Sequence, residues 1–224
     1  MAYTLAGIRQ RVIDDKLDDT GYDTAIVDRF INDTQRSIFN SFEMPYAEKV
    51  FSGLLPDGGY IFTFPDDYQI TQALKITDPT ANVKDITDSY VPFQQFNRAF
   101  PVPLNNPEGP PTAWTLHGNK LYFDKPTDQP YTLELYYLKK PAVLDDDADI
   151  PELPSEFEEL LVLGAYYRVL ERNEDLDLAA FYKNGDYTDE LDKLAQRYGK
   201  RQVGKPQPMA QPLRTSRGRR NGRA

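Results

Sequence analysis

The chain of 224 residues carries 26 basic and 35 acidic side chains, one histidine and no cysteine, with 40% hydrophobic and 12% aromatic residues. Disulfide frameworks and thiolate metal sites are therefore excluded, a disordered body is disfavoured, and no run reaches the roughly 18 apolar residues of a membrane-spanning helix. Charge is divided: the segment after Tyr198 holds eight cations and no acid, which leaves the preceding body with 18 basic against 35 acidic residues, a formal −17.

The opening MAYTLAGIRQR shows no basic segment followed by an apolar run, so a soluble protein without a standard secretion signal is expected. Thr4 is placed to cap a helix carrying Leu5, Ile8, Val12 and Ile13, and a break is expected across Asp18, Asp19, Thr20 and Gly21. Asp23 can cap a second helix with a broad apolar stripe through Ile26, Val27, Phe30, Ile31, Ile38 and Phe39, which Pro45 is expected to end.

From Lys49 to Lys140 the pattern changes to short β-branched and aromatic runs separated by Pro, Gly, Asp and Asn, as in an antiparallel β region inserted between helices. Strands are expected over Tyr60–Phe64 and Ile70–Thr77, with a third over Val83–Thr87, then a short helix within Tyr90–Phe100. The proline-rich run from Pro101 to Pro111 should be a loop. AWTLHGNKLYFDK alternates Trp114, Leu116, Leu121 and Phe123 around Gly118-Asn119, a dipeptide suited to a two-residue hairpin turn. The next strand, Tyr131 to Lys139, puts Leu133, Leu135 and Tyr137 on one face, and a three-stranded meander with the hairpin is expected.

Helices return after Pro154. Ser155 and Glu158 match a capping box, and the helix they open is apolar on nearly every side, through Phe157, Leu160 to Leu163, Tyr166, Tyr167, Val169 and Leu170. Such a helix lies in the middle of a core or against another subunit. A last helix from about Asp177 to Tyr198 carries Asn184-Gly185 as a kink or interruption. The fold class is α+β: an α-helical core of two N-terminal and two C-terminal helices, an antiparallel β-rich insertion, and an extended basic C-terminal tail. The corresponding units are residues 1–48, 49–141, 142–198 and 199–224.

No catalytic constellation stands out. His117 sits beside a hairpin turn and reads as a surface or packing residue, and no G-x-S-x-G, P-loop or G-x-G-x-x-G motif occurs. DDDADIPELPSE puts Asp145, Asp147, Asp149 and Glu156 at four calcium-loop positions. Ile150 stands where that loop needs glycine, so a solvated linker is expected. Asp14, Asp15, Asp66, Asp67 and Glu171 could be imagined around two metals, but nothing in their spacing selects them. No cofactor and no metal site is expected.

The tail cations Lys200, Arg201, Lys205, Arg214, Arg217, Arg219, Arg220 and Arg223 leave three readings open. They could solubilise a disordered end, contact nucleic-acid phosphates without sequence preference, or dock in an acidic or amide-lined groove of a protein partner.

The order of four phrases resembles the head-to-tail adaptor, or connector, proteins of tailed bacteriophages. These are the N-terminal helix pair, Phe64 to Thr77, Ala113 to Asp147, and Ile150 to Tyr182. The resemblance implies a homo-oligomeric ring in the virion neck, usually twelvefold, formed from subunits made in the host cytoplasm. Such a ring joins the portal protein to a tail or nozzle protein, and double-stranded DNA passes through without sequence recognition. It also favours the third reading of the tail, an anchor on the portal. Another neck or tail-completion protein, or a metal-dependent nuclease, remains the alternative.

Overall fold

The computed structural model describes residues 3–17, 21–42 and 44–198. Its α+β architecture is a helical layer with two antiparallel sheets inserted between its N- and C-terminal parts. The Thr4 side chain accepts the Gly7 N–H at the start of helix α1 (Leu5–Arg11), which continues into a π-helical turn, Val12–Leu17, burying Val12 and Ile13. Asp23 caps α2 (Thr24–Ser41) through the Ala25 N–H. Helix α2 stops at Ser41, short of Pro45. Phe42 is already extended and packs against the core, Met44 is buried, and Pro45 instead opens a short 3-10 turn.

Helix α4 (Glu158–Arg172) is the centre of the helical layer, and its residues Leu160 to Tyr167 are all buried. Its neighbours are α2, α1 with the π turn, α5 (Leu176–Asn184) and α6 (Asp186–Tyr198), so the apolar surface that suggested a second subunit is covered within one chain. The last helical stretch is interrupted at Gly185, as Asn184-Gly185 suggested, and forms α5 and α6. The expected capping box is absent: Ser155 begins a 3-10 turn, α4 starts without a side-chain cap, and Glu158 pairs with Arg11 at 3.2 Å.

Gly164 sets how closely α4 approaches α2. A Cβ placed there would lie 2.3 Å from Thr34 Cγ2 and 2.9 Å from its Oγ1. Thr34 Oγ1 donates to the Phe30 carbonyl, and Arg168 donates to both Thr34 Oγ1 (2.9 Å) and the Gly164 carbonyl (2.7 Å).

The first sheet has the order β1 (Glu48–Leu55), β7 (Tyr131–Lys139), β3 (Tyr68–Thr77), β4 (Val83–Asp85); the second is β2 (Ile61–Thr63), β6 (Lys120–Phe123), β5 (Trp114–His117). The hairpin β5–β6 forms as expected, with Gly118 at φ +62°. The meander does not. Strand β7 leaves the hairpin and runs between β1 and β3, because burying Tyr131, Leu133, Leu135 and Tyr137 together needs the opposed sheet of Leu121, Phe123 and Trp114. The Trp114 indole donates to the Ile86 carbonyl at 2.6 Å, which satisfies its one polar atom in that core. Helix α3 (Phe93–Ala99) lies outside both sheets.

Two carboxamides on α2 hold the segment that returns from β7 to α4. Asn32 exchanges two hydrogen bonds with the backbone of Leu144, at 2.8 and 3.0 Å. Gln35, 1% exposed, donates to the Ala142 carbonyl and accepts from the Glu152 N–H.

Gly164→Ala should cost about 1–3 kcal/mol in denaturant unfolding, although alanine is the better helix former by about 1 kcal/mol. Adding Thr34→Ser should recover part of the loss. Unchanged stability in the single variant would show that α2 and α4 are not constrained at this crossing.

Candidate assembly surfaces

The groups weighed for chemistry are occupied in holding the fold. His117 stacks on Phe93 with ring centroids 4.0 Å apart. Within the acidic linker, Asp149 accepts the backbone N–H groups of Asp145 and Asp146, and the Asp146 bond, followed by the Asp145 bond, holds its carboxyl below the usual range. The Asp149 and Asp147 carbonyls accept from Leu5 and Ala6, the otherwise unpaired donors at the start of α1, while the Asp147 carboxylate pairs with Arg9 at 2.9 Å. The linker is largely exposed, as expected of a solvated segment, and its backbone also caps α1.

Four of the five carboxylates imagined around two metals, all but Asp66, have separate partners. Asp14 accepts from Gln10, Asp15 lies 3.7 Å from Arg11, Glu171 pairs with Lys183, and Asp67 accepts from Lys49 (2.7 Å) and Tyr137 (2.8 Å). Burial raises the Asp67 pKa, but those two hydrogen bonds, the Lys49 charge and a backbone hydrogen bond together outweigh it, and the net shift is downward. Among the described residues no three His, Asp or Glu side chains gather as a metal-binding group, and no helix is long and apolar enough to cross a membrane.

The tail cations Lys200, Arg201, Lys205, Arg214, Arg217, Arg219, Arg220 and Arg223 lie outside the described residues. The described chain closes on the packed end of α6. At the end of α6, the Tyr198 ring meets Tyr46 and Phe157, each with centroids 6.0 Å away, and Arg197 pairs with Glu156.

Two apolar surfaces are left uncovered by the described chain. The first is on α5, where Leu176 (63% exposed), Leu178 and Phe181 (66%) face outward while Ala179 and Tyr182 pack on α4. The second is one face of the four-stranded sheet. The register places Val50 beside Tyr136, Leu54 beside Thr132, Ile70 beside Leu138 and Val83 beside Thr77, all on the side opposite the buried Leu133 and Leu135. Leu138 packs into the helical core, so that face is closed at one end, and Lys75 lies over the Tyr136 ring at its centre. Tyr90, Phe93, Val102 and Leu104, in the segment between β4 and β5, are further exposed apolar side chains. These surfaces are not read directly from the residues, since strand β1 has no uninterrupted alternation; Val50, Ser52 and Leu54 at period two are the signal that could have found it.

Burial, then the hydrogen bond with Tyr46, push the Tyr198 phenol up to about 12. A raised phenol stabilises the fold fully below its ordinary value near pH 10, and that contribution is lost as pH rises through about 12. The difference in native tyrosinate absorbance between the parent and Tyr198→Phe should titrate near 12. A midpoint near 10 would show that the α6 end is not packed as described.

The sequence matches no curated protein. Its structure is similar, at TM-score 0.26 and 14% identity, to a chain from the neck of an empty GTA particle computed with C6 symmetry, over 74% of this chain and 77% of that one, a likeness too slight to support inference. The model of the family described as SU10 adaptor protein matches residues 3–212, the helical layer, both sheets and part of the basic tail together. The chain belongs to the SU10 adaptor protein family.

Proposed function

We propose that the protein is a head-to-tail adaptor of a tailed phage: a structural part of the virion neck, assembled in the host cytoplasm as a twelvefold ring between portal and tail or nozzle protein. The observation that carries this is the family match across residues 3–212. Exposed apolar surfaces on α5 and on the larger sheet support it, because a ring contact is heterologous and needs two different patches on each subunit.

In this reading the helical body, residues 1–48 with 142–198, and the β region, 49–141, supply the ring contacts, while residues 199–224 anchor on the portal. The cations from Lys200 to Arg223 would leave the body at the packed α6 end and seek carboxylates or amide oxygens on the portal. The −17 body gives a DNA channel little attraction for phosphate, so the duplex passes without being held. Catalysis has no part in this role, and Asp14, Asp15, Asp67 and Glu171, which a nuclease could recruit, each serve a different partner.

Mixing the purified protein with its cognate portal should give a docked ring by electron microscopy, and deleting residues 200–224 should weaken docking at least about tenfold. Raising salt from 0.1 to 1 M, which shortens the screening length from about 10 to about 3 Å, should weaken it too. Equal docking by the truncated chain would sink the anchoring role. Leu176→Ser with Phe181→Ser should reduce ring formation while changing the subunit's own stability by no more than about 0.5 kcal/mol per site. Ring formation unaffected by this pair would remove α5 from the contact.

A further inference from the structure

Strand β1 is an open edge. It pairs with β7 over eight consecutive residues without a bulge, and among the described residues no strand pairs with its other side. The remaining edges are short or protected: β2 and β4 have three residues each, and β5 is bridged by Tyr90. The free half of β3 carries two register shifts, which spoil it as a template. An edge strand is ordinarily blunted by a charge, a proline or a bulge, and β1 has none of these from Val50 to Leu55.

We propose that two copies of the chain pair through β1, antiparallel and related by a two-fold axis, joining their four-stranded sheets into one. The occupant follows from charge and register. Each chain carries a net −9, so two copies repel except where charge is missing, and VFSGLL is an uncharged run on an open edge. A two-fold axis normal to the sheet keeps the outer face of both copies on one side, so Val50, Ser52 and Leu54 must oppose residues of the same set. Centring the axis on Ser52 sets Val50 against Leu54 of the second copy and Leu54 against its Val50, pairing residues that are 54% and 64% exposed in the single chain. Shifting the centre to Phe51 sets Glu48 against Leu54 instead, and shifting it to Gly53 carries Val50 past the strand end to Pro56. Ser52 is therefore the register in which every exposed apolar side chain finds an apolar partner.

A two-fold contact closes on itself and cannot propagate a ring. The pair is accordingly the state of the free chain, hiding its edge before assembly, and it stands whether or not the neck reading holds.

Because the chain has no cysteine, crosslinks report the register directly. Ser52→Cys in the full-length protein should oxidise to a disulfide-linked dimer at least about tenfold faster than Asp192→Cys, a control on the exposed side of α6. Val50→Cys alone should link poorly, since four residues of strand, about 13 Å, separate the two sulfurs, beyond the reach of a disulfide. Mixed with Leu54→Cys it should give the hybrid dimer. All three positions in β1 are exposed, so the variants should fold, which circular dichroism checks. Val50→Lys with Leu54→Lys should weaken self-association about tenfold or more. Linkage of Ser52→Cys no faster than the control overturns the proposal, as does Val50→Cys linking to itself as readily as to Leu54→Cys; either result would give the edge to a different strand.

Discussion

The approach of α4 to α2 at Gly164 and Thr34 is the contact on which the rest of the molecule depends. Only a residue without a side chain lets the two helices come so close, and the polar atoms trapped there are satisfied by Arg168 and the Phe30 carbonyl. With α4 fixed, α2 presents Asn32 and Gln35 to the returning segment, and their carboxamides hold residues 142–152 as a strand partner would. That segment in turn supplies the carbonyls of Asp147 and Asp149 to the first N–H groups of α1. Three parts of the chain far apart in sequence are thus ordered by one helix pair.

Among the described residues, several acids are held in the same way by the fold. Acids that looked available in the sequence are used as caps, ion-pair partners and acceptors, with Asp67 shared between Lys49 and Tyr137 as one example. The fold also leaves apolar surface uncovered, on α5 and on one face of the larger sheet. For a member of an adaptor family, contact surface rather than a reactive centre is the expected means of action.

Much of this was legible in the residues because the signals were local. Thr4 and Asp23 cap where their side chains can reach the next N–H groups, Gly118 takes the positive φ that its hairpin demands, and the all-round apolar helix became the core. What failed depended on distant partners. Strand β7 follows the hairpin in sequence, yet its four buried side chains need an opposing sheet, so it pairs with β1 and β3. Ser155 and Glu158 have the spacing of a capping box, but Arg11, 147 residues before Glu158 in the chain, takes the carboxylate. Strand β1 went unseen because its inner positions include Gly53, kept free of a side chain by the Phe62 ring of β2. The tail was read from charge alone and lies outside the described residues.

The most direct measurement is an electron cryomicroscopy map of the neck of the intact particle that carries this protein, with the subunit fitted as a rigid body. The expected result is a closed ring of copies around the DNA path and against the portal, with α5 and the open sheet face covered by neighbours. A neck without this chain, or a ring in which those apolar surfaces face solvent, would contradict the assignment.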